Sequence, residues 1–279
     1  MPEGGAGGGR ERREVAAVGR TRDRSFTLAT TPKRRDPPAT TITAGDYYLP
    51  DDPSATVRYE PGAVGCTRAQ YDELWGFADR IPPTPNPMNR HTNLRRKQAT
   101  FGAVYRFGQQ VSTRVSDPED EWPELVKIAI EDSRSRIAEA RRGDYEAATA
   151  AHVNWYPDGR AGNGRHRDAE PDLVPGAPIF SYSFLSDGPM DTASPSAAKT
   201  KTPAPTPRLF DVYRLGAQKP IASVPLGHGD VLVMAGTMQE THEHGVRPTA
   251  AKAHANQSRV NITVRAFKPG SAAVRTGGG

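Results

Sequence analysis

The sequence predicts an α+β fold in which helices come first and a jelly-roll-like set of strands follows. Three observations carry this expectation. Apolar residues recur at helical spacing in two early segments. From His152 onward short apolar or alternating runs are separated by turn residues. Residues 259–265 alternate strictly between polar and apolar side chains. Short strands punctuated by Gly and Pro suit a sandwich or barrel.

The elements follow in order. Residues 1–42 run through Gly-rich, Arg-rich and Thr/Pro-rich stretches without apolar period, and are expected to be a disordered basic tail. Order is expected to begin near Asp46-Tyr47-Tyr48-Leu49-Pro50, opening one domain over residues 43–268. A first helix follows Thr67, which forms a capping box with Gln70; Leu74, Phe77 and Ala78 repeat at helical spacing. Residues 81–87 hold four prolines and must be a loop or an extended segment. A second helix opens at Trp122-Pro123 and carries Leu125, Ile128, Ala129 and Ile137. Strands are expected at residues 153–156, 179–185, 231–234 and 259–267. Residues 186–207, built of Pro, Ala, Ser, Thr and Lys, predict a mobile insertion, and residues 269–279 a flexible C-terminus.

Composition narrows the classes. The 279 residues suffice for a sizeable core, but 35% hydrophobic residues with 27 Gly and 26 Pro imply that part of the chain is unpacked. Cys66 is the single cysteine, which excludes an internal disulfide framework and suits a reducing, intracellular compartment. No apolar run approaches the roughly 18 residues of a membrane span, so no membrane partner is expected. The net charge of +5 invites a nucleic-acid reading, but nine Lys or Arg against five Asp or Glu in residues 1–38 account for +4 of it. The basic pI therefore describes a tail and not a binding face. A monomer is the default expectation.

The segment Gly164-Arg165-His166-Arg167-Asp168 places a histidine and a carboxylate two apart. On a strand such residues share a face and can bind one ion. A second histidine would complete a two-His, one-carboxylate facial triad, whose open positions non-haem Fe(II) oxygenases need. A rival pair, His228 and Asp230, sits at a turn and lies too close to the later histidines to cross a barrel and return. For the distal ligand His242 and His244 are both candidates, and periodicity does not choose between them.

On Arg259–Val–Asn–Ile–Thr–Val–Arg265 one face is Arg259, Asn261, Thr263 and Arg265, all hydrogen-bonding and without an acid. Six residues at ~3.3 Å each put the two arginine Cα atoms roughly 20 Å apart. With side chains reaching inward ~6–7 Å, the remaining gap is about the length of a five-carbon dicarboxylate. A planar guanidinium pairs bidentately with such a carboxylate. In an iron enzyme of this kind 2-oxoglutarate chelates the metal at one end and needs a cation at the other.

Taken in order, several motifs resemble the AlkB family of Fe(II)- and 2-oxoglutarate-dependent dioxygenases, over roughly residues 43–268. They are Asn154-Trp-Tyr156-Pro-Asp-Gly, His166-Arg-Asp168-Ala-Glu170, Pro175-Gly-Ala-Pro-Ile179 with Ser181-Tyr-Ser183-Phe, Gly229-Asp230 through Gly236, His244-Gly-Val-Arg-Pro248, and the arginine strand. The resemblance implies a double-stranded β-helix core with N-terminal helices and a nucleotide-recognition lid at about residues 81–110. A ligand histidine shortly before a proline selects His244, so the implied metal ligands are His166, Asp168 and His244. It assigns 2-oxoglutarate to Asn154, Tyr156, Arg259 and Asn261, with Arg265 either completing that pocket or bracing Asp168. The lid residues Arg96, Lys97, Tyr105 and Phe107, with Glu170, would meet the substrate, Phe107 stacking on a flipped-out base and Glu170 facing the base edge.

The implied activity is removal of N-methyl groups of the 1-methyladenine and 3-methylcytosine type from DNA or RNA, using Fe(II), 2-oxoglutarate and O₂ and releasing formaldehyde. The alternatives are a family member acting on RNA marks or a protein, and a binding barrel without activity. Three departures stand out. Ala169 occupies a position often acidic in the repair branch, residues 186–207 have no counterpart, and Met88 is the only large apolar side chain where a duplex-invading wedge would lie. The bland readings are kept for His91, His152 and His254 as surface or strand histidines, for Trp75 and Trp122 as core anchors, and for Cys66 as a small buried residue.

Overall fold

The structure, a computed structural model, describes residues 39–107, 110–139, 148–190 and 206–268. Most of the expected tail and insertion, and the C-terminus, lie outside the described residues. The chain opens with strands β1 (Thr40–Thr41), β2 (Gly45–Leu49) and β3 (Asp52–Glu60), followed by helix α1 (Arg68–Phe77). Short strands come next: β4 (Pro85–Asn86), β5 (Asn89–Asn93), β6 (Lys97–Phe101), β7 (Arg106–Phe107), β8 (Gln110–Val111) and β9 (Thr113–Val115). Helix α2 (Glu124–Glu139) precedes β10 (Ala148–Tyr156), β11 (Asn163–His166), β12 (Ile179–Leu185), β13 (Arg208–Arg214), β14 (Ala222–Leu226) and β15 (Asp230–Gly236). The described chain closes with the single turn α3 (Met238–Thr241), β16 (His242–Val246) and β17 (Arg259–Phe267). None of these helices is long and apolar enough to cross a membrane.

Two sheets make the jelly roll. The larger runs β2-β3-β15-β12-β17-β10-β6-β9 and the smaller β1-β14-β13-β16-β11. Helix α1 starts as expected: the Thr67 hydroxyl accepts from the Gln70 backbone and the Gln70 side chain accepts from the Thr67 N–H. Both helices cover the outer face of the large sheet, where Leu74, Leu125, Val126 and Ala129 meet Val153, Trp155, Val260 and Ile262. Leu74 and Leu125 have no exposed surface, and burying each fully stabilises the layer by about 1.5–3 kcal/mol. Trp155 adds a polar tie, its indole N–H donating to the Leu74 carbonyl at 2.8 Å.

Between the sheets, one end is apolar. Val57, Leu232 and Met234 from the large sheet meet Val212, Val224 and Leu226 from the small one. The other end is polar, and the register shows why. Across the large sheet Ser183, Asn261, Asn154 and Gln98 align as one inward rung. Ser181, Thr263, His152 and Thr100 form the next. Arg259 stands beside Tyr156 on one side of these rungs, and Arg265 beside Ala150 on the other. Alternation sends the residues between them, such as Val260 and Trp155, toward the helices.

Three points differ from what the sequence predicts. Strands precede the first helix, because residues 52–60 pair with both β2 and β15. Order starts before residue 43: Thr40 and Thr41 pair with β14, and Ile42 is buried among the apolar residues between the sheets. The proline-rich segment, by contrast, is a loop ending in an extended piece as expected, and it enters a β4–β5 hairpin. Finally, β13 and β14, which the sequence does not announce, supply two of the five strands of the small sheet.

Candidate metal centre and substrate cavity

The strand pairing brings the H-x-D pair to the later histidine. His166 lies directly opposite His244 in the β11–β16 ladder. Their close approach requires Gly245, where a Cβ would sit 2.9 Å from the Asn163 carbonyl oxygen and 3.0 Å from that of Gly164. Ligand atoms of His166, Asp168 and His244 all lie within 4.8 Å of one another. Among the described residues this is the only such group of His, Cys, Asp or Glu.

The donor set fits a divalent iron: two imidazoles and one carboxylate, converging from one side. His166 Nδ1 is 2.8 Å from the Gly164 carbonyl oxygen, so the N–H sits there and Nε2 faces the centre. Burial would raise the Asp168 pKa, but Arg265 and the two imidazoles outweigh it and hold the carboxyl well below its usual range. Arg265 donates to Asp168 Oδ2 at 2.8 Å with both side chains nearly inaccessible. Of the two roles expected for Arg265, the contact is the brace on Asp168. His244 is pushed down to about 3 by burial and then by the neighbouring imidazole, which keeps it neutral and able to ligate.

His242, the competing ligand, is otherwise engaged. Its Nε2 lies 3.1 Å from Asp51 and its Nδ1 2.8 Å from the Thr241 hydroxyl. The rejected pair is structural too. Asp230 accepts from Tyr59 and from the Gly62 and Gly227 N–H groups, while His228 binds the Leu185 backbone.

The centre opens into a cavity of about 520 Å³, lined by Asn154, Tyr156, Arg259 and Asn261 among others. Arg259 is 1% exposed and its Nε donates to Ser183, but Nη1 has no partner among the described residues. Burial lowers its pKa to about 10, so the guanidinium remains charged at neutral pH. A buried cation with no carboxylate beside it favours an anionic ligand. The Tyr156 ring lies 5.2 Å from the guanidinium and closes that end.

At the other end are Tyr105 and Glu170. Tyr105 is buried against Arg265 and His152, and its hydroxyl is 3.4 Å from Asp168 Oδ1. Glu170 lines the same cavity and its Oε2 has no partner among the described residues. Burial, with the charge of Asp168, raises its pKa. The Phe107 side chain, assigned to stacking, lies outside the described residues. The β4–β5 hairpin places Asn86, Pro87 and Met88 at the cavity mouth, with Met88 91% exposed.

Two lid expectations change. Lys97 does not line the cavity; its ammonium donates to the Ala78 carbonyl at the end of α1, 2.7 Å away. Strand parity is the reason, since Arg96 and Gln98 point inward and Lys97 outward. Arg96 does line the cavity, but its donors go to Asn154, Gly162 and Gln98 of the protein itself. Gln98 lines the cavity as well, and His152 is, as expected, a strand histidine on β10 and no metal ligand. His152 is buried in the cavity wall, bonded through Nδ1 to the Thr100 hydroxyl, and burial keeps its pKa far below normal. Its spacing of two from Asn154 and four from Tyr156 was the available signal.

Comparison with known proteins gives three findings. A family model described as the 2OG-Fe(II) oxygenase superfamily matches residues 68–265. A mouse protein named DNA oxidative demethylase ALKBH2 is 29% identical over 180 residues, covering 63% of this chain. The chain thus spans 64% of that protein's own length, less than two thirds. A solved structure described as "The structure of OsALKBH1" aligns over 77% of this chain and 97% of its own, with 19% identity and a TM-score of 0.45.

Proposed function

The chain belongs to the 2OG-Fe(II) oxygenase superfamily, and we propose that it is an AlkB-type demethylase of N-methylated bases in DNA or RNA. The substrates proposed are those of the 1-methyladenine and 3-methylcytosine type, whose methylated rings carry positive charge. One observation carries the reading. A single cavity holds the His166–Asp168–His244 cluster, with the buried Arg259, whose Nη1 has no partner among the described residues, at one end and Glu170, whose Oε2 has none among them, at the other. An anionic cosubstrate suits the charge at the Arg259 end, and a cationic base suits the acid at the other. The similarity to the mouse DNA oxidative demethylase points the same way.

When bound, Fe(II), 2-oxoglutarate and O₂ supply the oxidation: the cosubstrate is decarboxylated to succinate and a substrate methyl group is hydroxylated. His166, Asp168 and His244 would hold the metal. Asp168 needs no proton removed to do so, because Arg265 keeps it ionised. Arg259 would take the far carboxylate of the cosubstrate, assisted by Tyr156, while Asn154 and Asn261 line its flank. Tyr105 and Glu170 would hold the base edge and position the methyl group for reaction. The hydroxymethyl product is a hemiaminal, which releases formaldehyde and the unmodified base.

The test is formaldehyde release from oligonucleotides bearing 1-methyladenine or 3-methylcytosine, as DNA and RNA, single- and double-stranded. We expect turnover that needs Fe(II) and 2-oxoglutarate and that His166→Ala abolishes. Succinate formation without formaldehyde from any of these strands would overturn the nucleic-acid reading while leaving the oxygenase.

A further inference from the structure

We infer that Gln98, held in orientation by Arg96, reads a ring carbonyl beside the methylated nitrogen and so favours bases of the 3-methylcytosine class over 1-methyladenine. The inference rests on the proposed demethylase activity and adds a residue and a preference to it.

Gln98 is 1% exposed, lines the cavity, and its Nε2 has no hydrogen-bond partner among the described residues. The amide cannot simply be turned around. Arg96 Nη2 donates to Gln98 Oε1 at 3.2 Å, and a guanidinium has donors only. The carboxamide oxygen must therefore face Arg96 and the NH₂ must face away from it. Arg96 Nε imposes the same logic on Asn154, whose Oδ1 accepts at 2.9 Å. A third donation, from Nη1 to the Gly162 carbonyl at 3.1 Å, ties Arg96 to the wall and leaves it little freedom. Arg96 is thus a positioning residue that sets the polarity of two neighbouring amides. A buried donor left without an acceptor costs about 1–3 kcal/mol, so an acceptor is expected from a ligand.

Position decides which ligand. Gln98 shares a rung with Asn154 and Asn261, but β10 stands between its strand and β17. Two strand spacings put it about 10 Å to the side of the Arg259–Asn261 row. The cosubstrate lies along that row if Arg259 takes its far carboxylate. Gln98 stands instead on the lid side, on the strand that leads to Tyr105.

The chemistry of the bases then separates them. In 3-methylcytosine the methylated nitrogen is flanked by a carbonyl oxygen and an amino group. In 1-methyladenine it is flanked by a C–H and an amino group. Glu170 offers an acceptor for the amino group in both cases. Gln98 offers a donor that only the carbonyl satisfies. Facing the C–H of 1-methyladenine, the same NH₂ stays unpaired.

The test compares kcat/KM on single-stranded oligonucleotides carrying either base, for wild type and Gln98→Glu. Glutamate keeps an oxygen for Arg96 and removes the donor, and its charge acts alike on both cationic bases. The ratio of 3-methylcytosine to 1-methyladenine turnover should fall about tenfold, the worth of one hydrogen bond at this scale. Gln98→Leu should lower it similarly, and Arg96→Met should lower it in part because the amide is then free to turn. Binding of 2-oxoglutarate to the Fe(II) protein without O₂, followed by calorimetry, should shift less than threefold in Gln98→Glu. An unchanged ratio in both Gln98 variants, with wild type active, overturns the inference alone. So does weakened 2-oxoglutarate binding with the ratio preserved, which would move Gln98 to the cosubstrate. Wild type inactive on both strands would sink the demethylase reading first and this one with it.

Discussion

Replacing Arg265 by methionine keeps the side-chain volume and removes the one charge that faces Asp168 at hydrogen-bond distance. The pair is 2.8 Å apart with side-chain exposures of 6% and 1%. In the variant, Asp168 remains buried beside His166 and His244 at 3.7 and 3.9 Å. His244 carries no compensating charge near neutrality, because burial has pushed its pKa down to about 3. Breaking one partner out of a buried pair costs about 3–5 kcal/mol. For a domain of this size that corresponds to a fall of roughly 10 °C in Tm. The pH dependence has a definite sign. Asp168 titrates below its unfolded value in wild type, so its contribution is complete above about pH 4 and is lost as pH falls through the folded pKa. The gap between wild type and variant should therefore be widest near pH 7 and close in acid. Metal should also narrow it, since a bound cation replaces the lost guanidinium charge. Thermal melts with and without Mn(II), at pH 7 and at steps below pH 4, measure all of this. An apo difference under about 1 kcal/mol at pH 7 would refute the reasoning, as would a gap that metal leaves unchanged.

Arg259→Met should behave in the opposite way: the apo Tm should hold or rise, because the buried guanidinium lacks a carboxylate partner among the described residues, while calorimetry should show 2-oxoglutarate affinity weakened about a hundredfold, some 3 kcal/mol for a charged hydrogen-bonded contact. The apo protein should lose stability to urea as pH falls from about 7 to 5, since His244 and His152 both titrate below their unfolded values and the unfolded chain takes up protons that the fold refuses. Lys97→Ala should cost about 1 kcal/mol in urea melts through the lost bond to the Ala78 carbonyl and leave the KM for methylated oligonucleotides within twofold. Met88 is exposed at the hairpin tip beside the cavity mouth; if the proposed substrate is taken from a duplex, Met88 would be the side chain to fill the gap, and Met88→Ala should then lower the double- to single-strand turnover ratio several-fold while Met88→Phe raises it.

What the sequence made legible follows the range of the signal. Alternation is local, so Arg259, Asn261, Thr263 and Arg265 could be assigned to one face from their own strand. Capping is local too, and Thr67 with Gln70 marked the start of α1. Pairing register is not local. Nothing in residues 96–98 says which parity faces the cavity, and Lys97 was assigned a substrate role that its strand parity denies. His242 and His244 posed the same problem in another form: a strand face holds both, and what separates them is Asp51, nearly two hundred residues away, which engages His242. Arg265 had two roles open because its partner, Asp168, comes from a segment on the opposite side of the cavity. His152 shows the converse case. Its parity with Asn154 and Tyr156 was in the sequence, but a histidine between small and apolar neighbours looks like any other strand residue until the rung on either side is known to be polar. The unpartnered atoms complete the argument. Gln98 Nε2, Arg259 Nη1 and Glu170 Oε2 are costly in an empty fold, and each becomes favourable with one ligand group opposite it. A donor, a cation and an acceptor face one cavity only once β6, β10 and β17 are in register and the segment after β11 folds against them.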